Sequence, residues 1–363
     1  MTEHSKASSS GMHVVVTGAT GNVGTAVVRA LGAEPAVESV LGIARRPTDW
    51  AVPKSTFAPV DVASDDLAET LRGADALVHL AWLFQPTHKP ETTWENNVLG
   101  TIRTLTAAAE AQVPVIVVAS SVGAYSPGPT SEPGVEEPRV DETWPTHGWP
   151  GAAYPREKAY LERWYDAFEL EHPEIRLVRM RPGFIFQRRS ATAQRRIFAG
   201  PFVPGSLLPA IPVVPDMPGL RMQILHSDDA ADAYVRAVLR PVRGAFNIAA
   251  DPPVDAHSFA EVLGARVVPV KRGIIRSAVA AAWHTHLAPA DPGLLDTVLR
   301  LPLMDCTRAR TELGWSPSAE PLDVLAEFVS GLREGAGAPT PPLVADSLRG
   351  RVEEVATGVG VRP

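Results

Sequence analysis

Short β-branched runs alternate along the first half of the chain with longer stretches whose apolar residues recur every three to four positions. HVVVT (13–17), VLGIA (40–44), ADALVHLAW (74–82), VPVIVVA (113–119) and the segment 175–180 read as strands buried on both faces. An alanine- and valine-rich stretch to Leu31, an acidic leucine-spaced stretch at 64–72, the series Val98, Ile102, Leu105 and Ala109 within 97–111, and the segment 159–171 read as helices. Strand and helix in alternation predict an α/β chain, a Rossmann-type doubly wound parallel sheet spanning 12–182.

The pattern loosens after Pro182. Residues 201–220 are crowded with proline and glycine, Ser227–Leu239 reads as a helix capped by Ser227 or Asp228, and AFNIA (245–249) reads as a returning strand. The segment 224–250 is therefore expected to rejoin the nucleotide domain. Helical stretches at 258–264, 271–286, 291–299 and 318–335 then belong, with 183–223 and 251–335 as a whole, to a smaller C-terminal substrate-binding lobe. The tail 336–363 mixes glycine, proline and charge and yields no element; residues 1–11 read as a disordered polar leader.

Composition narrows the classes. The 363 residues are 45% hydrophobic and 21% charged, as in ordinary globular proteins. A net charge of -7, with no basic run interleaved with aromatics, argues against nucleic acid as a partner. Cys306 stands alone, which excludes an intramolecular disulfide and a four-cysteine zinc site, and no metal is expected. No run reaches the ~18 apolar residues a membrane helix needs. The expected setting is cytoplasmic.

Gly18, Gly21 and Gly24 follow the first strand at three-residue spacing and open a helix. In that context the first glycine permits the turn, the second lets backbone approach a pyrophosphate, and the third lets helix pack on sheet. The free N–H groups of the helix start favour an anion. After the second strand, where NAD-binding chains place a ribose-binding carboxylate, stand Arg45 and Arg46; two guanidiniums suit the 2′-phosphate of NADP, which is favoured over NAD. Asp61 either accepts the adenine amino group or orders the turn before the next helix.

Tyr154 and Lys158, four apart in YPREK, fall on one helix face, with Pro155 confined to the first turn. A phenol is a poor base near neutrality unless a cation lowers its pKa. Tyr154 beside an ammonium can exchange a proton with a carbinol or carbonyl oxygen while hydride moves to or from nicotinamide. Ser120 and Ser121 end the most hydrophobic strand, where one hydroxyl can hydrogen-bond the substrate oxygen.

With these pieces in order, the chain resembles the extended short-chain dehydrogenase/reductase family in its NAD-dependent epimerase/dehydratase branch. The matching segments are TGATGNVG (17–24), DV (61–62), HLAW (79–82), NNVLGT (96–101), ASSVGAY (119–125), YPREK (154–158), RPGFIF (181–186), ILHSDDAADAY (224–234) and CTRARTELGWSP (306–317), covering about 12–330. The resemblance implies Ser121, Tyr154 and Lys158 as the catalytic group, with Asn97 near them. It extends cofactor contacts to Thr20, Asn22 and Val23 in the turn, and to Asp61 and Val62. Leu80, Ala81 and Trp82 would lie beneath the cofactor, Ala119 beside it, and Pro182, Gly183 and Phe184 around the nicotinamide end. Trp82, Phe84, Ser120, Ser121, Val122, Arg195 and His226 are the expected substrate contacts, and a homodimer through helices 97–111 and 154–171 is the expected assembly.

Departures from the family pattern shape the functional expectation. Trp82, Leu83 and Phe84 give a more apolar pocket than a sugar needs. Arg188, Arg189, Arg195 and Arg196 offer a grip for a nucleotide diphosphate, or only a solvated face. No carboxylate adjoins Ser121, so elimination of water fits less well than redox or epimerisation. The leading expectation is an NAD(P)-dependent oxidoreductase acting on a secondary alcohol or ketone. The alternatives are a nucleotide-sugar epimerase with tightly bound NAD and a non-catalytic NADP(H)-sensing protein.

Overall fold

The computed structural model describes residues 11–85, 87–129, 137–203, 205, 207 and 211–359. Apart from Gly11, the expected leader lies outside the described residues. Seven strands form one parallel sheet: β1 (Met12–Thr17), β2 (Val37–Ala44), β3 (Ser55–Pro59), β4 (Ala76–His79), β5 (Val115–Ala119), β6 (Arg176–Pro182) and β9 (Gly244–Ile248). Their order is β9-β6-β5-β4-β1-β2-β3. Two further strands, β7 (Phe184–Phe186) and β8 (Ile224–His226), pair with each other in parallel.

The apolar runs are explained by burial on both faces. Val14, Val16, Ala76, Val78 and Val117 point into one core, with α1 (Asn22–Ala33) and α5 (Ser227–Leu239). Their neighbours Val15, Leu77, Ile116 and Val118 point into the other, with α2 (Gly100–Glu110) and α3 (Ala153–Glu171). Strand order reverses between β1 and β4, and the crevice outside the carboxyl ends there is where such sheets bind ligands.

Beyond β6 helices supply most of the regular structure, and α4 (Ala191–Phe198), α6 (Arg272–His284), α7 (Pro321–Glu334) and α8 (Leu348–Ala356) are the pieces used below. Three local expectations are corrected. The helix expected at 64–72 is a single turn, Ala68–Leu71, preceded by Asp66, whose carboxylate accepts from Ala68 N. The stretch expected to be helical from 97 begins with a π-helical turn, Trp94–Leu99, before α2. The unreadable tail folds back on the protein as a short turn at Pro341–Leu343 and α8, fixed by contacts with α4 and the glycine turn. Among the described residues, no helix is long and apolar enough to cross a membrane.

Candidate active site

The glycine turn has the shape its spacing implies. Gly18 has φ +64, and a Cβ there would lie 2.8 Å from Ala81 N. A Cβ on Gly24 would lie 2.1 Å from Gly18 O, so only glycine lets α1 sit this close to the turn. At Gly21 a Cβ would meet only Gly18 O, at 3.3 Å, leaving open room over the turn. Gly21 is the N-cap of α1 and no side chain caps that helix. The open cradle and uncapped helix start fit a dinucleotide pyrophosphate. Thr17 Oγ1 accepts from Leu80 N and Ala81 N, at 3.0 and 3.1 Å, and so fixes the floor opposite the turn.

Tyr154 and Lys158 lie in the first two turns of α3, with Pro155 at the third helical position, where its missing N–H breaks no helical bond. The Ser121 hydroxyl and the Tyr154 ring lie side by side, a Cβ at Gly123 falling 3.3 Å from Ser121 Oγ and 2.8 Å from Tyr154 Cε1, and Ser121 Oγ accepts from Gly123 N at 2.9 Å. Lys158 Nζ donates to Ala119 O at 2.6 Å and sits 3.3 Å from the centre of the Trp82 ring, a cation–π contact. Burial pushes the Tyr154 phenol up to about 12, against the Ser121 hydrogen bond, with Glu157 adding to the rise. Burial lowers the Lys158 ammonium to about 7, against the raising effect of Glu157 and Glu162.

Around this pair the wall is aromatic. Phe84 stacks on Tyr154 with centroids 5.1 Å apart, and Trp82 meets the same ring edge-on at 5.7 Å. The loop carrying them is bolted to the π-helical turn. Asn97 Oδ1 accepts from Leu83 N at 2.7 Å, while Asn97 Nδ2 donates to Leu83 O at 2.8 Å and to Glu157 at 2.7 Å. Thr93 Oγ1 donates to the other oxygen of Glu157 at 2.6 Å. The Asn97 side chain thus holds the aromatic loop in place. Glu157 joins α3 to that loop. Trp82 Nε1 is buried without a partner among the described residues.

Several expected contacts are placed elsewhere. Ser120 points away from the crevice and donates to Glu162 at 2.5 Å, because side chains alternate along the strand end and Ser121 takes the open side. Val122 is buried against Tyr125, Ala249, Leu301 and Met304. His226 caps α5, its Nδ1 accepting from Asp228 N, and its Nε2 lies 3.4 Å from Glu327. Arg195 is buried and bound to the tail, donating to Glu354 at 2.9 Å and to Gly200 O at 2.5 Å, with Asp346 at 3.4 Å. The side chain of Asn22 bridges Ile185 O, Gln187 and Ser227, which ties the turn to β7 and α5; a pyrophosphate would meet only its backbone. Asp61 Oδ1 accepts from Ala63 N, ordering the turn. Arg45 and Arg46 are exposed at the end of β2. Val62 and Pro182 are buried, whereas Gly183 and Phe184 lie at the junction of β6 and β7. A Cβ on Gly183 would press to 2.4 Å on Gln223 O.

Sequence reasoning missed Glu162, one turn beyond Lys158 on the same face of α3. Its buried carboxylate accepts from Arg181 at 2.8 and 2.9 Å and from Ser120. Burial alone would raise this carboxyl, but the hydrogen bonds and charge of Arg181 hold it below its ordinary value. The repeat Tyr154, Lys158, Glu162, one every four residues, was the available signal. Among the described residues no cluster of His, Cys, Asp or Glu could hold a metal ion. A wider crevice of about 1030 Å³, lined by Glu142, Arg179, Arg181 and Arg308, shares no lining residue with Tyr154 or Lys158.

The chain belongs to the NAD dependent epimerase/dehydratase family, whose model matches residues 14–249. An uncharacterized protein of Mycobacterium tuberculosis is 26% identical over 327 residues, 89% of this chain. The chain spans only 30% of the length of that relative. The fold is similar to that of a UDP-glucose 4-epimerase from Thermus thermophilus in complex with NAD, at TM-score 0.65 and 21% identity over 89% of this chain and 99% of that one. It is also similar to the dTDP-glucose 4,6-dehydratase DesIV of Streptomyces venezuelae with NAD bound, at TM-score 0.66 and 21% identity over 89% and 97%.

Proposed function

We propose that the protein is an NADP-dependent oxidoreductase that interconverts a secondary alcohol and a ketone of a small molecule. The observation that carries the reading is the convergence of Ser121, Tyr154 and Lys158 beside an open glycine turn. The nicotinamide cofactor supplies or takes the hydride. In the reducing direction Tyr154 Oη gives its proton to the substrate oxygen as the carbonyl carbon gains hydride, and Ser121 Oγ hydrogen-bonds the same oxygen. The protonated ammonium of Lys158 stabilises the phenolate left behind. Asn97 and Glu157 hold the Trp82–Phe84 loop against Tyr154, and Trp82 Nε1 offers an unused donor to the incoming ligand. Gly18, Gly21, Gly24 and the backbone of Thr20, Asn22 and Val23 would hold the pyrophosphate, with Leu80 and Ala81 beneath. Arg45 and Arg46 support the choice of NADP, since no carboxylate follows β2 at their positions. Leu99 and Tyr160, exposed at 44% and 45% on the turn before α2 and on α3, support a homodimer through these helices.

One observation favours the second reading, an epimerase that keeps its cofactor: Thr340, fully buried, donates to the carbonyl of Thr20 at 2.8 Å, so the tail is fastened to the glycine turn. The test of the catalytic assignment is Tyr154→Phe. NADPH consumption with a panel of small ketones is expected to fall by about 10²-fold or more while NADPH binding persists. Equal rates for wild type and variant would remove Tyr154 from the chemistry.

A further inference from the structure

We propose that the substrate is a compact, uncharged, apolar ketone or alcohol, and that the site is closed to nucleotide diphosphates because carboxylates of the C-terminal segment hold the arginine beside the pocket. This inference rests on the oxidoreductase reading. A dense cationic run, 188–196, lies beside the site, and α4 adjoins the pocket loop at Phe84 and Gln85. Gln85 Nε2 donates to Arg196 O and Ile197 O at 3.1 and 2.9 Å, and Phe198 meets Phe84 edge-on at 5.9 Å.

Three of that run's four arginines, Arg188, Arg195 and Arg196, are taken by the chain itself. Arg195, 4% exposed at its side chain, pairs with Glu354 and Asp346. Arg188 pairs with Glu334, and Arg196 donates to Pro342 O. In the lobe, Arg221 pairs with Glu137, and Asp296 holds Arg272, Arg276 and Arg300. A diphosphate reaching Arg195 would have to displace two carboxylates, one of them also gripped by Arg351.

The pocket under Tyr154, about 30 Å³, has the opposite character. Leu83, Phe84 and Leu294 supply apolar walls, while Glu157 and Asp291 contribute its charged side chains, both acidic. Lys158 does not offset them toward a bound anion, since its ammonium faces Ala119 O and the Trp82 ring. A phosphate would therefore meet hydrocarbon and the Asp291 carboxylate, with Glu157 engaged by Asn97 and Thr93. Phe84 and Phe198 are 36% and 42% exposed side by side, an apolar face that an uncharged ligand would cover.

Saturation-transfer NMR on the NADPH-loaded full chain tests this, with acetophenone and UDP as probes. Acetophenone is expected to receive saturation, with affinity about 3- to 10-fold weaker in Phe84→Ala, and UDP to receive none. In the pair Asp346→Asn with Glu354→Gln, UDP is expected to become a visible ligand. UDP binding to wild type, or silence of acetophenone, would overturn the proposal. Continued silence of UDP toward a natively folded double variant would overturn the role given to the two carboxylates. Binding is read here without turnover. Failure of the oxidoreductase reading would instead show as bound acetophenone that never consumes NADPH.

Discussion

Replacing Glu162 by alanine probes the charge network behind the active site. The Glu162 side chain is fully buried and accepts three hydrogen bonds within 2.9 Å, two from Arg181 and one from Ser120, with Arg179 at 3.3 Å. The Arg181 side chain is 5% exposed, and without Glu162 it keeps only the Tyr125 hydroxyl at 2.9 Å and Glu142 O at 2.8 Å. Removing one partner of a buried pair strands the other charge, at a cost of about 3–5 kcal/mol. Against a typical total of about 5–15 kcal/mol, that is a large share of the fold's stability. Urea unfolding followed by circular dichroism and tryptophan fluorescence would measure it, with an unchanged slope as the sign that the denatured state is the same. Glu162→Gln, which still accepts a hydrogen bond, should lose less. The pair Glu162→Ala with Arg181→Leu should recover part of the loss, because no charge is stranded. A loss below about 1 kcal/mol for Glu162→Ala would mean that Arg181 is not stranded by it.

Other predictions concern the chemistry and the cradle. Lys158 titrates at about 7, so ketone reduction should decline as pH rises through that value and the ammonium is lost. Glu157 and Glu162 raise this pKa, so Glu162→Gln should move the limb to lower pH; a limb that stays put would separate Glu162 from Lys158. The same lowering predicts that stability rises with pH from about 7 toward 10.5, where the unfolded chain binds the proton and the folded chain does not. Gly24→Ala forces a Cβ to 2.1 Å from backbone and should weaken NADPH binding by about 10-fold or more, about 1.4 kcal/mol. Gly273→Ala, in α6 with nothing within 4 Å, should be neutral or stabilise by about 0.5–1 kcal/mol.

What the sequence made legible is what lies close together along the chain. Strand, glycine turn and helix at 12–33 declare themselves by periodicity and by the three glycines, and Tyr154 and Lys158 by one turn of helix. The parallel sheet follows from strands apolar on both faces. Side-chain direction at a strand end was harder: Ser120 and Ser121 are equivalent in sequence, yet one faces the crevice and the other Glu162. Roles set by distant partners could not be read. The anions that take Arg195 come from positions 346 and 354, in a tail without periodicity, and Asn97 acts through Leu83 and Glu157 across three elements. Local pattern assigns such residues a type and a place, while tertiary pairing decides their job.

The protein is proposed to be an oxidoreductase that exchanges NADP. The most direct test is the nucleotide released from purified, gently denatured protein, followed by titration of the emptied protein with NADPH and NADH. Little retained nucleotide is expected, and much tighter binding of NADPH than NADH, through Arg45 and Arg46. Stoichiometric NAD(H) carried through purification would contradict it and point to the epimerase, with the Thr340 contact as the latch that keeps the cofactor in place.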